Sequence, residues 1–251
     1  MDSRVFQQRR GIKIRAGLFR SRFRSLTMKG ILLDIEGTTT PISFVYDVLF
    51  PYARAHVSEN IGAEDIAALR LSHEEDLRNG FSPPAWTETP VAYVHWLMDQ
   101  DRKSTALKNL QGKIWLSGYE SGALHGEVFE DVPSAFARWH EAGIDVRIYS
   151  SGSRLAQKLL FSSTHSGDLT KFLNGYFDTT TGPKTEAESY VVIGRAFRCE
   201  PGEILFLSDV VRELDAARTA GMQTALCVRP GNHPQLPGTH RTISSFEEIG
   251  D

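Results

Sequence analysis

Three apolar runs in the chain each end abruptly on polar residues. Ile31-Leu32-Leu33 leads into Asp34-Ile35-Glu36-Gly37-Thr38-Thr39, Ile148-Tyr149 into Ser150-Ser151-Gly152-Ser153, and Ile204-Leu205-Phe206-Leu207 into Ser208-Asp209. Short continuous apolar runs fit strands buried on both faces of a sheet. From Val132 onward they alternate with helical spacing, and Ala142-Gly143 and Ala220-Gly221 supply helix ends. That alternation predicts an α/β fold with a mainly parallel sheet. Ligands of such sheets lie beyond the carboxyl ends of the strands, so the three polar tips are expected on one edge.

More than a hundred residues separate the first strand from Ser150, far more than one crossover needs. Apolar positions three and four apart predict helices over 46–60, 63–78, 90–101 and 104–115, with Gly80 and Pro83-Pro84 as breaks. The expected organisation is a core of residues 28–45 and 125–251 with a small helical cap, 46–124, inserted in it. Of the aromatics Phe44, Tyr46, Trp86, Trp96, Trp115 and Tyr119, most are expected in cores. One or two are expected to line an apolar pocket.

Charge separates the first 27 residues from the rest. They carry Arg4, Arg9, Arg10, Lys13, Arg15, Arg20, Arg22 and Arg24 against Asp2. Taking those eight basic and one acidic residue from totals of 28 and 31 leaves 20 and 30, a formal net charge of −10. A body so acidic does not read as a nucleic-acid binder. The arm is expected to be disordered, whether as a targeting peptide, a basic tail or an upstream extension of a start at Met28-Lys29-Gly30. No apolar run is long enough to span a membrane. Cys199 and Cys227 read as free thiols of a reducing compartment; the eight histidines show no metal-ligand spacing. A cytoplasmic monomer is expected, with organelle targeting by the arm left open.

An Asp-x-Glu-Gly string is by itself as often a polar turn as a site. Ser150, Ser151 and Gly152 equally suit a helix cap, and Asp209 suits the cap of the next helix. Lys184, in Gly182-Pro183-Lys184-Thr185-Glu186, is expected at a helix start, where a cation opposes the helix dipole unless an anion intervenes. What changes the weight is the order: acid pair, hydroxyls, lysine, acid.

In that order the chain resembles the haloacid dehalogenase superfamily of aspartyl-phosphate phosphatases. It is most similar to the enolase-phosphatase branch of methionine salvage. The matching strings are Asp34-Ile-Glu-Gly-Thr-Thr-Thr-Pro41, Phe50-Pro-Tyr-Ala53, Gln111-Gly-Lys-Ile-Trp115 with Gly118-Tyr119, Tyr149-Ser-Ser-Gly-Ser153, Lys184-Thr-Glu-Ala-Glu-Ser-Tyr190, Phe206-Leu-Ser-Asp209 and Arg229-Pro-Gly-Asn232. The resemblance implies a Rossmann-like core with an inserted cap and Asp34 as nucleophile. It implies phosphate binding by Ser150, Ser151, Gly152 and Lys184, and one magnesium ion held by Asp34, Asp209 and the backbone carbonyl of Glu36. Glu36 stands where most of the superfamily has Asp and would be the general acid and base. The implied substrate is 2,3-diketo-5-methylthiopentyl 1-phosphate, enolised and then dephosphorylated, with Glu36 and Lys184 both candidates for the proton transfer. A phosphatase or phosphomutase for another metabolite, or a silent scaffold, are the competing expectations.

Overall fold

The computed structural model describes residues 28–102 and 104–250; the basic arm lies outside them. Six strands form one sheet: β1 (Gly30–Leu33), β2 (Asp145–Tyr149), β3 (Gly175–Phe177), β4 (Ile204–Ser208), β5 (Gln223–Cys227) and β6 (Arg241–Ile243). Their order is β3-β2-β1-β4-β5-β6 and every pairing is parallel. From β1 the chain moves outward to β2 and β3, then returns across β1 to β4. The reversal places a topological switch point at β1, where open α/β sheets bind ligands. Leu33 is paired with Ile148 on one side and Leu207 on the other, which sets Asp34 between the tips of β2 and β4.

The alternation within β1 divides the core. Ile31 and Leu33 face a cluster with Val132, Phe136 and Trp139 of one helix and Leu160 and Phe161 of another. Leu32 faces the opposite cluster of Tyr190, Ile193, Phe197, Leu214 and Ala217. A strand buried on both faces has no polar positions to alternate, which is why its text is continuously apolar.

The segment that follows β1 holds, among the described residues, a π-helical stretch, Phe44–Leu49, and five α-helices: α1 (Phe50–Ala55), α2 (Val57–Asn60), α3 (Ala63–Arg78), α4 (Val91–Asp99) and α5 (Thr105–Glu120). They share a cluster of their own that includes Val57, Leu69, Tyr93, Leu97, Leu110 and Ile114. Both ends of the insertion are rooted in the core: Phe44, Leu49, Tyr119 and Leu124 belong to the first sheet-side cluster. The helices outside the insertion alternate with the strands: α6 (Val132–Glu141) precedes β2, α7 (Arg154–Ser162) follows it, and α8 (Ala187–Phe197) and α9 (Val211–Thr219) flank β4.

Two expected helices differ in the structure. The single helix over 46–60 is broken at His56, where the Tyr52 carbonyl accepts from both the His56 backbone N–H (3.2 Å) and ring Nδ1 (2.8 Å). The helix expected to end at Trp115 continues to Glu120. Gly118 does not stop it, because the missing side chain makes room for the Tyr52 ring; a Cβ there would lie 2.8 Å from that ring.

Phe206 is fully buried in the second sheet-side cluster. Phe206→Ala is expected to lower unfolding free energy by about 3–5 kcal/mol, against under about 0.5 kcal/mol for Leu77→Ala on an exposed helix face. Urea titrations of both variants check this.

Candidate active site

Asp34 leaves β1 with its side chain 7% exposed and held from three directions. The backbone N–H of Ile35 donates to Oδ1 at 2.7 Å, Ser208 Oγ donates to Oδ2 at 3.4 Å, and Lys184 Nζ lies 2.7 Å from Oδ1. Ile35 turns back into the core cluster, so Asp34 and Glu36 occupy the other side of the backbone. Gly37 then reverses the chain at φ +66°, a conformation that favours glycine. Three N–H groups, of Thr38, Thr39 and Thr40, converge on the Ile35 carbonyl and close the turn.

Lys184 does not stand at a helix start. Helix α8 begins at Ala187, and Lys184 lies before it in a loop whose carbonyls are fixed one by one. Tyr149 Oη donates to Gly182 O, Ser189 Oγ to Pro183 O and Tyr190 Oη to Lys184 O, all at 2.7–2.8 Å. The lysine side chain, 11% exposed, bridges Asp34 and Glu213 Oε2 at 2.7 Å each. The dipole expectation is thus replaced by a different charge balance: two carboxylates face the ammonium. Burial alone would lower the lysine pKa, but the charges of Asp34 and Glu213 outweigh it and hold the pKa above the ordinary value. The lysine stays charged.

Glu213, on the first turn of α9, was not among the residues marked from the sequence. Its Oε2 also accepts from Ser208 Oγ at 2.9 Å, so Ser208 and Lys184 both connect it to Asp34. The available signal was its place four residues after Asp209, one helical turn into α9 and on the strand-tip side.

Asp209 is not a helix cap: α9 is preceded by Val210, and its cap position makes no side-chain bond. The Asp209 carboxylate instead packs against Gly37, where a Cβ would fall 2.5 Å from Oδ2. Burial first, then the nearby charge of Asp34, pushes its pKa up to about 7. Asn232 Oδ1, buried and without a hydrogen-bond partner, lies against the same glycine, while Asn232 Nδ2 donates to the Gly37 and Cys227 carbonyls. Arg229 ties the turn to the rest of the core through Thr38 O and the Asp131 carboxylate.

On the β2 side, the helix cap is Ser153, whose Oγ accepts from Ala156 N. Ser150, Ser151 and Gly152 are therefore free of capping. Ser150 Oγ is buried and accepts from Gly152 N at 3.2 Å. Gln157 Nε2 donates to both Gly152 O and Phe177 O at 2.8 Å, holding the loop between β2 and α7 against the tip of β3. The tips of β1, β2 and β4 thus bring together Asp34, Ser150 and Asp209, with Lys184 reaching in from the loop before α8. The set combines a fixed carboxylate, an adjacent ammonium, a hydroxyl at an anion-favouring helix N-terminus and a second carboxylate.

Residues 28–221 match the family of haloacid dehalogenase-like hydrolases. The chain is 48% identical to the enolase-phosphatase E1 of Synechococcus elongatus across 87% of this chain and 96% of that protein. It is 51% identical, over 88% of this chain, to a Sorghum bicolor protein named probable bifunctional methylthioribulose-1-phosphate dehydratase/enolase-phosphatase E1, of which it spans 47%, about half the length. The yeast UTR4 protein has a similar structure, with a TM-score of 0.74 at 37% identity over 88% of this chain and all of that one. CbbY from Rhodobacter sphaeroides, at 16% identity and a TM-score of 0.56, shares the fold alone. The order of the strand-tip residues, the parallel sheet with its switch point at β1 and these similarities agree: the chain belongs to the haloacid dehalogenase-like hydrolases and, within them, to the enolase-phosphatase E1 family.

Proposed function

We propose that the chain is the enolase-phosphatase of methionine salvage, converting 2,3-diketo-5-methylthiopentyl 1-phosphate to the acireductone and inorganic phosphate. The observation that carries the phosphatase half is the Asp34–Lys184–Glu213 ion triad at the switch point of the sheet. Phosphoryl transfer needs an aligned nucleophile and charge compensation around the phosphoryl oxygens. Asp34 Oδ2 is the less engaged oxygen, since Oδ1 already bonds Ile35 N–H and Lys184. Attack through it gives an aspartyl-phosphate, with the Ser150 hydroxyl and the amides around Gly152 receiving the phosphoryl oxygens.

Lys184 and Glu36 divide the proton work. A lysine held charged by two carboxylates neutralises phosphate but makes a poor base. Glu36, half-buried beside the nucleophile, is left as the group that protonates the departing oxygen and takes the proton beside the carbonyl during enolisation. The helical segment 46–124 would act as the cap that covers the crevice.

The donors fit one hard divalent cation. Among the described residues no three His, Cys, Asp or Glu side chains form a ligand cluster; the set that the family resemblance implies, the Asp34 and Asp209 carboxylates completed by the Glu36 carbonyl, asks for only two such side chains. Asp209, buried and repelled by Asp34, is the group such a cation would relieve. Magnesium there would screen the repulsion between a carboxylate nucleophile and a phosphate dianion.

Asp34→Asn is expected to abolish phosphate release from the diketone phosphate while leaving enolisation measurable by ultraviolet absorbance. Loss of both in a folded variant would contradict the division of roles, and wild-type protein preferring other phosphate esters would contradict the substrate. Lys184→Met leaves two carboxylates uncompensated and should lower stability by about 3–5 kcal/mol, read by urea unfolding; Lys184→Arg should not restore activity, because the guanidinium fork does not fit a site built for a point charge. Asp209→Asn should raise the melting temperature in chelator by removing like charge, and should lose the stabilisation that magnesium gives the wild type. A magnesium-induced shift that persists in Asp209→Asn would count against the assigned ligand.

A further inference from the structure

Lys108 stands on the second turn of α5, in the helical insertion, and its ammonium reaches the core. Nζ donates to the Ser151 carbonyl at 3.4 Å and to Thr179 Oγ1 at 3.1 Å, groups 43 and 71 residues away along the chain. Both acceptors are neutral. The other insertion lysine near it on α5, Lys113, is instead neutralised within the insertion by Asp65 at 2.8 Å. Among the described residues, Lys108 therefore brings a charge held only by a carbonyl and a hydroxyl to the rim of the loop that carries Ser150, Ser151 and Gly152. Thr179 follows Asp178, whose carboxylate receives Arg154 N–H at the start of α7. The two contacts of Lys108 thus fall on the two loops, after β2 and after β3, that border the phosphate end of the crevice.

We propose that Lys108 is a specificity-determining residue, the cation through which the insertion senses a phosphorylated ligand: with a phosphate in the Ser150 loop, the ammonium turns from its neutral acceptors toward the anion and fastens the insertion over the site. The inference rests on the phosphatase reading of that loop. Its chemistry is specific. A carbonyl and a hydroxyl offer the ammonium only dipoles, whereas a phosphate adds the Coulomb attraction of opposite full charges, so a lysine parked on two neutral acceptors gains by the exchange, and one already paired to a carboxylate gains less. Lys184, by contrast, has its charge already shared between Asp34 and Glu213.

The test uses inorganic phosphate as probe, so that it does not depend on the identity of the substrate. Phosphate affinity by calorimetry and KM and kcat for the diketone phosphate are measured for wild type, Lys108→Met, Lys108→Arg and Thr179→Ala, with melting temperatures as the folding control. Lys108→Met should weaken phosphate binding and raise KM by about tenfold, the effect of one partly screened charge, with kcat changed far less. Lys108→Arg should recover most of the loss. Thr179→Ala, which removes a resting acceptor but keeps the charge, should bind phosphate as wild type does. Unchanged phosphate affinity in Lys108→Met overturns the proposal, and so does a Thr179→Ala variant that reproduces the Lys108→Met defect, since the lysine would then be a structural latch. Failure of wild-type protein to turn over the diketone phosphate while phosphate affinity still depends on Lys108 would remove the substrate reading and leave the role of Lys108 standing.

Discussion

The ion triad of Asp34, Lys184 and Glu213 is the constraint on which the rest of the site depends. Two buried carboxylates, Asp34 at the tip of β1 and Glu213 on the first turn of α9, are costly to bring together unless a cation lies between them. Lys184 meets both at 2.7 Å. Its loop must then be placed within a fraction of an ångström, which explains why three successive carbonyls, from Gly182 to Lys184, each receive a hydroxyl from a buried or strand-tip residue. Ser208 closes the set, its single hydroxyl proton lying between Glu213 Oε2 at 2.9 Å and Asp34 Oδ2 at 3.4 Å. Packing, backbone and electrostatics are thereby coupled: a change in Tyr190 or Ser189 acts on Asp34 through the lysine.

The same triad separates the two ends of the site. On one side Lys184 meets Asp34 Oδ1 and Glu213 at 2.7 Å; on the other, Asp209 lies buried near Asp34, and burial together with the charge of Asp34 raises the pKa of both Glu213 and Asp209 to about 7. Glu213 and Asp34 share the buried ammonium, whereas Asp209 has no ion pair among the described residues. That asymmetry, set by the switch point of the sheet, suits the proposed reaction, in which a dianionic substrate meets a carboxylate nucleophile.

Much of the fold was legible because β1, β2 and β4 are buried on both faces and so carry uninterrupted apolar text ending in polar tips. Helix 63–78 was equally clear, with its periodicity unbroken. The break at His56 was not, since it depends on a ring nitrogen competing for the Tyr52 carbonyl, and the continuation of α5 through Gly118 depends on a ring packing there from another helix. Among site residues, Asp34, Ser150 and Asp209 announce themselves as strand tips. Lys184 was found by motif order but misjudged in setting, because the sequence places it near a helix while its partners come from β1 and α9. Glu213 was passed over because an acid on the first turn of a helix has an ordinary local reading; only the tertiary fold brings it to the lysine.

The most direct test of this account is the site of covalent attachment during turnover. Acid quenching in the steady state, followed by mass spectrometry of proteolytic peptides, should find a phosphoryl group on the peptide containing Asp34 and, after borohydride reduction, a modified residue at that position. Phosphate release without any such adduct in rapidly quenched single-turnover samples, or an adduct on Glu36 or Glu213 instead, would contradict Asp34 as the nucleophile that the triad exists to hold.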